Sequence, residues 1–374
     1  MKKIALNYIY LSKRHAGGKD QVGLNLLKGF YDIGVSNRMM VLCYDYSVDL
    51  IKKIAPDIEI YQIKSNRFSS EFMRLLCQTY VNTVIIPKVV KKERIDCIFH
   101  LALNNGFKKL SCKVIVLPHD IKQIAHRKIG RLKVPMYKYL IYKVMYYLDF
   151  KHADKIIAIS DCDKADMYKC YPKWTDKVKR IYNPIVSTQQ GYKDSILDVP
   201  YILAVNLQFI HKNIITLLRA YEKIKDKIVH KLVLIGNVPS RVEFLVDYVK
   251  EHNLEDKVIF TGFVKDEELY RWMINADLYV NPTIFEGFGM TAVEAIIYKV
   301  PTLISKIPVN YETTCGLCDY YFPPDDENEL AKKILECCKR TKDEKKLSAA
   351  SKQLYHRYHY MHIAKLYWNL FFNI

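Results

Sequence analysis

Two glutamates, Glu286 and Glu294, flank a glycine turn and the first turns of a predicted helix. Gly287 and Gly289 allow the backbone to approach a ligand closely, because glycine has no Cβ and tolerates unusual backbone angles. The helix that follows directs free N–H groups and the positive end of its dipole at the same place, which suits a diphosphate. A carboxylate instead accepts hydrogen bonds from the hydroxyls of a ribose or a sugar. The stretch therefore predicts a ligand that combines a nucleotide, a diphosphate and a polar group.

The elements around this turn follow from the apolar pattern of residues 277–301. A buried strand comes first, a loop follows at Pro282, and a helix then continues to Pro301. Gly287 to Ala292 also fits the dinucleotide fingerprint G-x-G-x-x-A, which requires a strand that ends directly at the glycines. Because the proline-containing loop intervenes, a dehydrogenase is disfavoured. A solvated pair of glutamates around a helix cap stays open as an alternative.

The Glu286 and Glu294 spacing resembles the Glu-x7-Glu signature of family 4 of the GT-B glycosyltransferases. These are retaining enzymes that use nucleotide sugars. The resemblance implies that Gly287, Phe288 and Gly289 bind the donor diphosphate and that Glu294 binds the donor as well. It also implies that Glu286 acts on the transferred sugar as a catalytic residue.

The rest of the chain agrees with such a fold. Its 374 residues suggest about two domains. Apolar runs such as 4–9 and 113–117 alternate with helical stretches such as 22–33, which is typical of a parallel sheet covered by helices. The resemblance implies an α/β fold of GT-B type, with two doubly wound, Rossmann-like domains that face a central cleft. The expected parts are an N-terminal acceptor-binding domain (1–190), a C-terminal nucleotide-sugar-binding domain (197–354) and a C-terminal helix (355–374) that packs on the first domain.

Further positions of the predicted second domain match the family. Lys212 resembles the family lysine that pairs with the donor phosphates, where an ammonium would offset the charge of the leaving diphosphate. Many relatives carry an arginine six positions earlier, whereas this chain has Asn206. In relatives the loop at Phe263 and Val264 meets the nucleobase. The signature helix of relatives usually ends in glycine, where this chain has Lys299.

Two loops of the predicted first domain are candidates for the same ligand. Gly17 and Gly18 follow the first strand and permit a tight turn against a phosphate. Family members carry a Gly-Gly there, which reaches the donor diphosphate. His119 follows another strand and can donate a hydrogen bond to a sugar hydroxyl, as a histidine near the transferred sugar does in retaining GT-B enzymes. A turn without a ligand and a structural histidine are the alternatives.

The positive charge is concentrated in the first half of the chain. Residues 1–190 carry 34 Lys and Arg against 16 Asp and Glu, whereas residues 191–374 carry 24 of each. Basic residues interleave with tyrosines over 121–150, which predicts either an interfacial helix on an anionic membrane or a core-facing helix with solvated lysines. A nucleic-acid partner is disfavoured, because no nucleic-acid-binding motif accompanies the charge. The residues of this predicted basic face, on the membrane or acceptor side, are Arg127, Lys128, Arg131, Lys133 and Lys138.

The resemblance and these features together imply a retaining glycosyltransferase that moves a hexose from a GDP- or UDP-linked sugar to a glycan acceptor in bacterial surface polysaccharide synthesis. We expect this acceptor to be lipid-linked. We expect no metal and no cofactor besides the nucleotide sugar, since no carboxylate cluster accompanies the motif. The expected location is the cytoplasm, with peripheral association at the inner face of the cell membrane through the basic first half. No apolar run reaches the roughly 18 residues that span a bilayer. A nucleotide-sugar epimerase of the same fold and a basic nucleic-acid-binding protein are the alternatives.

Overall fold

The computed structural model describes residues 2–13, 17–65, 71–129, 132–187 and 195–374. These residues fall into two compact units. The first lies within Met1–Arg127, Val134–Val186 and Tyr358–Ile374, and the second within Lys128–Lys133 and Ser187–Arg357.

Parallel β-strands form the centre of each unit, which confirms the predicted α/β class. The strands are β1 (Ile4–Asn7), β2 (Met39–Tyr44), β3 (Glu59–Ile63), β4 (Cys97–His100), β5 (Lys113–Val116), β6 (Lys128–Ile129), β7 (Leu132–Lys133), β8 (Lys155–Ala158), β9 (Val178–Arg180), β10 (Tyr201–Val205), β11 (Lys231–Ile235), β12 (Val258–Gly262), β13 (Leu278–Asn281), β14 (Thr302–Ser305) and β15 (Asp319–Tyr321). The order in the first sheet is β3-β2-β1-β4-β5-β8-β9, and in the second β12-β11-β10-β13-β14-β15. The short β6 and β7 pair antiparallel with each other.

Helices follow most strands, as a parallel sheet requires for its crossover connections. They are α1 (Gly18–Asp32), α2 (Val48–Ile54), α3 (Glu71–Tyr80), α4 (Ile86–Lys92), α5 (Lys122–Ala125), α6 (Met136–His152), α7 (Asp161–Cys170), α8 (Ile214–Glu222), α9 (Phe244–Glu251), α10 (Asp266–Ile274), α11 (Met290–Ile297), α12 (Pro308–Thr314), α13 (Glu327–Lys339), α14 (Glu344–Tyr358) and α15 (Tyr360–Phe372). Within the described residues, none of the helices is long and apolar enough to cross a bilayer.

Strand order decides where a ligand can lie. Each sheet has a topological switch point, where the order in which strands are added changes sides. It lies between β1 and β4 in the first sheet and between β10 and β13 in the second. Open α/β sheets bind ligands at the carboxyl ends of the strands beside such a switch point. The loop after β10 carries Lys212, and the loop after β13 carries Glu286 and the glycine turn. The fold therefore brings these two loops together at the carboxyl ends of the neighbouring strands β10 and β13.

The C-terminal segment packs within the first unit. Over 355–374 the chain forms the end of α14 and then α15, with a break at His359, where the backbone pairs with Ile185. α15 lies so close to α1 that a Cβ on Gly29 would come within 2.7 Å of the Ala364 Cβ. Glycine at that crossing lets the two helix backbones approach, so that Phe371 of α15 reaches the ring of Phe30 in the core.

Candidate functional site

The glycine turn leads directly into α11. Gly289 has φ 82° and ψ 44°, a left-handed conformation that a residue with a Cβ adopts only at a cost. A Cβ added at Gly289 would lie 3.4 Å from the Oδ1 atom of Asn310. The N-cap residue Gly289 has no side chain with which to cap α11, and the first backbone N–H groups of a helix have no intrahelical partner. This arrangement suits an anion at the turn.

A buried ion pair lies beside the turn. The ammonium of Lys212 pairs with the carboxylate of Glu286, and the two side chains are only 8% and 11% exposed. The Glu286 carboxylate also accepts a hydrogen bond of 3.4 Å from the Asn281 side-chain amide. Backbone contacts hold the two loops together, because the His211 carbonyl accepts from the Ile284 N–H at 2.9 Å. Lys212 and Glu286, which the sequence predicts to contact the same donor, are thus direct partners.

The second glutamate of the signature sits in an environment that favours its neutral form. Burial, with a smaller contribution from the Asp266 carboxylate, raises the pKa of Glu294 to about 7. Burial likewise raises the pKa of Tyr279, and the charges of Glu286 and Glu294 add to that effect. Both glutamates of the signature thus act on the electrostatic environment of Tyr279.

Sequence reasoning missed Tyr279, Asn281 and Asn310 as parts of this site. Tyr279 and Asn281 are two positions apart on β13, so their side chains point to the same face of the sheet. The Oδ1 atom of Asn310 is buried next to Gly289 and has no hydrogen-bond partner among the residues that the structure describes. The sequence signal for Asn281 was a polar side chain at the end of an otherwise apolar strand. This signal did not indicate which loop the Asn281 side chain would contact.

The remaining candidates of the second unit lie at other strand ends. The side chain of Val264 is buried in the core with Trp272 and Met273, which leaves its backbone as the part that a ligand can contact. Asn206, at the position of the family arginine, has φ 69°. Lys299 has φ 62°, so the helix ends in a left-handed residue that is not glycine.

In the first unit, Gly17 and Gly18 lie at the start of α1. Gly17 has φ 108°, and a Cβ on either glycine would meet no atom of the described, non-neighbouring residues within 4 Å. The position of the neighbouring Ala16 lies outside the described residues.

His119 lies after β5 in a left-handed conformation, with φ 71°, and is buried. Its Nε2 atom is 2.7 Å from the Leu101 carbonyl, which can only accept, so Nε2 carries the proton. Burial and the nearby Lys19 ammonium lower the pKa of His119 to about 3. The imidazole is therefore neutral, and its Nδ1 atom is an acceptor. The expectation that His119 donates to a sugar hydroxyl is thus corrected, because its ring proton already goes to the Leu101 carbonyl. A contact with a sugar hydroxyl stays a prediction, in which the hydroxyl donates to Nδ1.

The predicted basic face is only partly described. Arg127 is half-buried and donates to the Val134 carbonyl at 3.4 Å, so it also holds the local backbone. Lys128 and Lys138 are exposed. Arg131 lies outside the described residues, and so does the side chain of Lys133.

Metal binding has no obvious ligand set in the part of the chain that the structure describes, where no group of three or more His, Cys, Asp or Glu side chains could hold one ion. The described residues at the second unit's site supply an ammonium, two carboxyl groups and a helix N-terminus.

Comparison with known proteins connects this geometry to a family. Residues 192–354 match the family model described as Glycosyl transferases group 1. The matched segment contains the Lys212–Glu286 pair, the glycine turn and Glu294. Group 1 glycosyl transferases are thus the family that this half of the chain resembles, as the Glu-x7-Glu spacing predicts.

Curated relatives of the chain include bacterial glycosyltransferases. The O-antigen chain mannosyltransferase RfbU of Salmonella typhimurium is 27% identical over 233 residues, which cover 59% of this chain and 63% of that protein. The N-acetylgalactosamine-N,N'-diacetylbacillosaminyl-diphospho-undecaprenol 4-alpha-N-acetylgalactosaminyltransferase of Campylobacter jejuni is 31% identical over 160 residues, 42% of each chain. The chain spans about half the length of the curated relatives it matches.

A solved structure covers the whole chain. The structure of Anabaena Alr3699/HepE in complex with UDP and glucose aligns over 100% of both chains, with a TM-score of 0.71 and 17% sequence identity. The predicted GT-B fold is confirmed by this likeness.

Proposed function

We propose that the protein transfers a hexose from a nucleotide sugar to a lipid-linked glycan acceptor, with retention of configuration at the anomeric carbon. The observation that carries this proposal is the Lys212–Glu286 ion pair beside the glycine turn of α11. It puts a cation for phosphate and a carboxylate for sugar hydroxyls at one place. The name of the O-antigen chain mannosyltransferase RfbU supports a role in surface polysaccharide synthesis. The diphospho-undecaprenol acceptor in the name of the Campylobacter jejuni relative supports a lipid-linked acceptor. We place the reaction at the cytoplasmic face of the membrane, as the basic first half of the chain predicts.

The donor would lie in the second unit. Its diphosphate would accept hydrogen bonds from the free N–H groups at the start of α11 and would pair with Lys212. A ribose hydroxyl would donate to Glu294, and hydroxyls of the sugar would donate to Glu286. Either a GDP- or a UDP-linked sugar fits this description, because none of these contacts reads the base.

The reaction would occur on one face of the sugar. The bond between the anomeric carbon and the diphosphate oxygen breaks, and the acceptor oxygen bonds to the same carbon from the same side. The proton of the acceptor hydroxyl passes to the leaving phosphate oxygen. Lys212 and the dipole of α11 would stabilise the charge that develops on the diphosphate. Glu286 would hold the sugar, and His119 would accept from one of its hydroxyls.

A transfer assay tests this proposal. The protein is incubated with UDP- and GDP-hexoses and with lipid-linked glycans extracted from bacterial membranes, and the release of nucleoside diphosphate is measured with and without the lipid fraction. We expect lipid-dependent release from one donor, and a product whose anomeric configuration by NMR equals that of the donor. A product of inverted configuration would rule out retention. Interconversion of the nucleotide sugar without an acceptor would indicate an epimerase instead.

A further inference from the structure

Helix α6 of the first unit is apolar on the side that faces solvent as well as on the side that faces the core. Its inner side carries the buried Tyr146 and Phe150. Large apolar side chains also stand exposed along the helix, and we call them the outer face of α6: Met136, Tyr137, Leu140, Ile141, Val144 and Tyr147. At 3.6 residues per turn these positions fall within a sector of about 140°. The sequence left open an interfacial helix on an anionic membrane or a core-facing helix whose solvent-exposed side carries lysines. In the structure, the solvent-exposed side of α6 carries mainly apolar side chains.

The charged side chains of the segment that carries the outer face all have one sign. Residues 121–148 contain seven Lys and Arg and no Asp or Glu. The exposed Lys138 and Lys143 lie on either side of the apolar sector, where their ammonium groups can reach past it. The one carboxylate of α6, Asp149, is buried and accepts from the backbone N–H groups of Asn104 and Asn105. No acidic side chain of this helix therefore opposes an anionic surface.

We propose that the outer face of α6 inserts into the interfacial layer of an anionic lipid bilayer, with the helix parallel to the membrane plane. An apolar face flanked by lysines buries its aliphatic and tyrosine side chains at the level of the acyl boundary and leaves the ammonium groups among the headgroup phosphates. A second copy of the chain is a poorer partner, because a symmetric contact would bring the same lysines against each other. Two interactions contribute to the predicted binding affinity. Salt weakens the attraction between the lysines and the anionic headgroups, but it does not weaken the burial of the apolar side chains.

Vesicle sedimentation separates these two parts. Wild-type protein is mixed with vesicles of equal parts phosphatidylglycerol and phosphatidylcholine, at ~0.1 M and at ~1 M salt, where the Debye length is about 10 Å and about 3 Å. The apolar variant is Leu140→Ser/Val144→Ser, at positions 53% and 56% exposed. The charge variant is Lys138→Gln/Lys143→Gln. The matched control is Val229→Ser, which removes an apolar side chain that is 79% exposed in the second unit.

We expect wild type and the Val229→Ser control to sediment with the vesicles at both salt concentrations. The apolar variant should bind on the order of 100-fold more weakly at both, because two aliphatic side chains no longer leave water. The charge variant should bind more weakly at low salt and like wild type at high salt. Because the substituted side chains are exposed, both variants should keep the wild-type unfolding temperature; if the apolar variant unfolds, Tyr137→Ser tests the same face.

Three results would overturn the proposal. One is wild-type protein that stays in the supernatant at low salt. Another is an apolar variant that binds as tightly as wild type. The third is a wild-type dimer in light scattering that the apolar variant converts to a monomer, since a second copy would then cover the outer face. None of these results bears on nucleotide-sugar binding, which is measured separately.

Discussion

The ammonium of Lys212 is paired with the carboxylate of Glu286, although 74 positions separate the two residues in the sequence. Each side chain is expected to serve a different part of the donor, Lys212 the diphosphate and Glu286 the sugar. Each side chain therefore makes to the other a contact that it would otherwise make to the donor. Donor binding would exchange the Lys212–Glu286 contact for a contact with phosphate and free the carboxylate for sugar hydroxyls.

Replacing Lys212 by glutamine should weaken the binding of UDP or GDP. The lost charged hydrogen bond is worth about 1.5–3 kcal/mol, which is about 10- to 150-fold in the dissociation constant measured by calorimetry. The substitution also leaves Glu286 buried without its cation, so the unfolding free energy should fall. The double variant Lys212→Gln/Glu286→Gln should recover stability but not affinity.

A matched control exists in the same unit. Lys223 pairs with Glu327 at 2.9 Å, with side chains 40% and 29% exposed. Lys223→Gln should leave nucleotide affinity unchanged and alter stability little, because an exposed ion pair contributes about 0–1 kcal/mol. Equal losses of affinity in Lys212→Gln and Lys223→Gln would show that Lys212 is not a phosphate ligand.

Glu286→Gln should separate binding from turnover. The variant keeps the shape of the side chain and releases Lys212 from its partner, so the affinity for free nucleoside diphosphate should equal or exceed that of wild type. Turnover should fall by about 100-fold, the usual cost of removing one preorganised contact to the reacting group. Wild-type turnover in this variant would contradict the role of Glu286, and Glu327→Gln serves as its control.

Glu294 should make stability depend on pH between its unfolded and folded pKa values. Its pKa rises from 4.5 to about 7 on folding, so the folded state holds the proton more tightly. The corresponding stability is fully present below pH 4.5 and is lost as the pH rises to about 7. Unfolding by denaturant at a series of pH values should show this loss in wild type and a smaller one in Glu294→Gln.

The same residue should make donor binding depend on pH in the opposite sense. The carboxylate, not the carboxylic acid, accepts from two ribose hydroxyls at once. Nucleoside diphosphate affinity should therefore rise as the pH passes through about 7, the pKa of Glu294 in the free protein. In Glu294→Gln the affinity should be lower and should lose that rise. The exposed helix residue Glu344 supplies the control substitution, Glu344→Gln, which should leave the rise intact.

His119 should contribute without changing its charge. Because its pKa is lowered to about 3, the imidazole is neutral throughout the range in which the enzyme is assayed. His119→Asn, in which asparagine tolerates the left-handed backbone, should reduce turnover and leave the affinity for nucleoside diphosphate unchanged. A step in the rate profile near pH 6.5, the ordinary pKa of histidine, that disappears in this variant would contradict a neutral role.

The sequence predicted the strands because they are short, apolar and bounded by loops. It predicted the residues of the turn because two glycines between two glutamates at the Glu-x7-Glu spacing indicate a ligand-binding turn. Gly289 indeed takes a conformation that favours glycine. The partners of those residues could not be predicted. The Lys212–Glu286 pair depends on β10 and β13 being neighbours in the sheet, and the proton position of His119 depends on a carbonyl 18 residues away.

Helix α6 shows a different limit. Its apolar residues are so frequent that no single stripe marks a core face, and the sequence alone could not divide them between core and solvent. The structure assigns Tyr146 and Phe150 to the core and leaves Leu140 and Val144 outside. That division depends on how the helix is rotated against the sheet, which side-chain packing decides.

The most direct test of the central claim, that the second unit holds a nucleotide sugar through Lys212 and Glu294, is a thermal-unfolding series with UDP-, GDP- and other nucleotide sugars. One class of donor should raise the unfolding temperature of wild-type protein, and the same donor should produce no rise in Lys212→Gln/Glu294→Gln. A rise that survives in this double variant, or the absence of any rise in wild type across the whole series at millimolar donor, would contradict the claim.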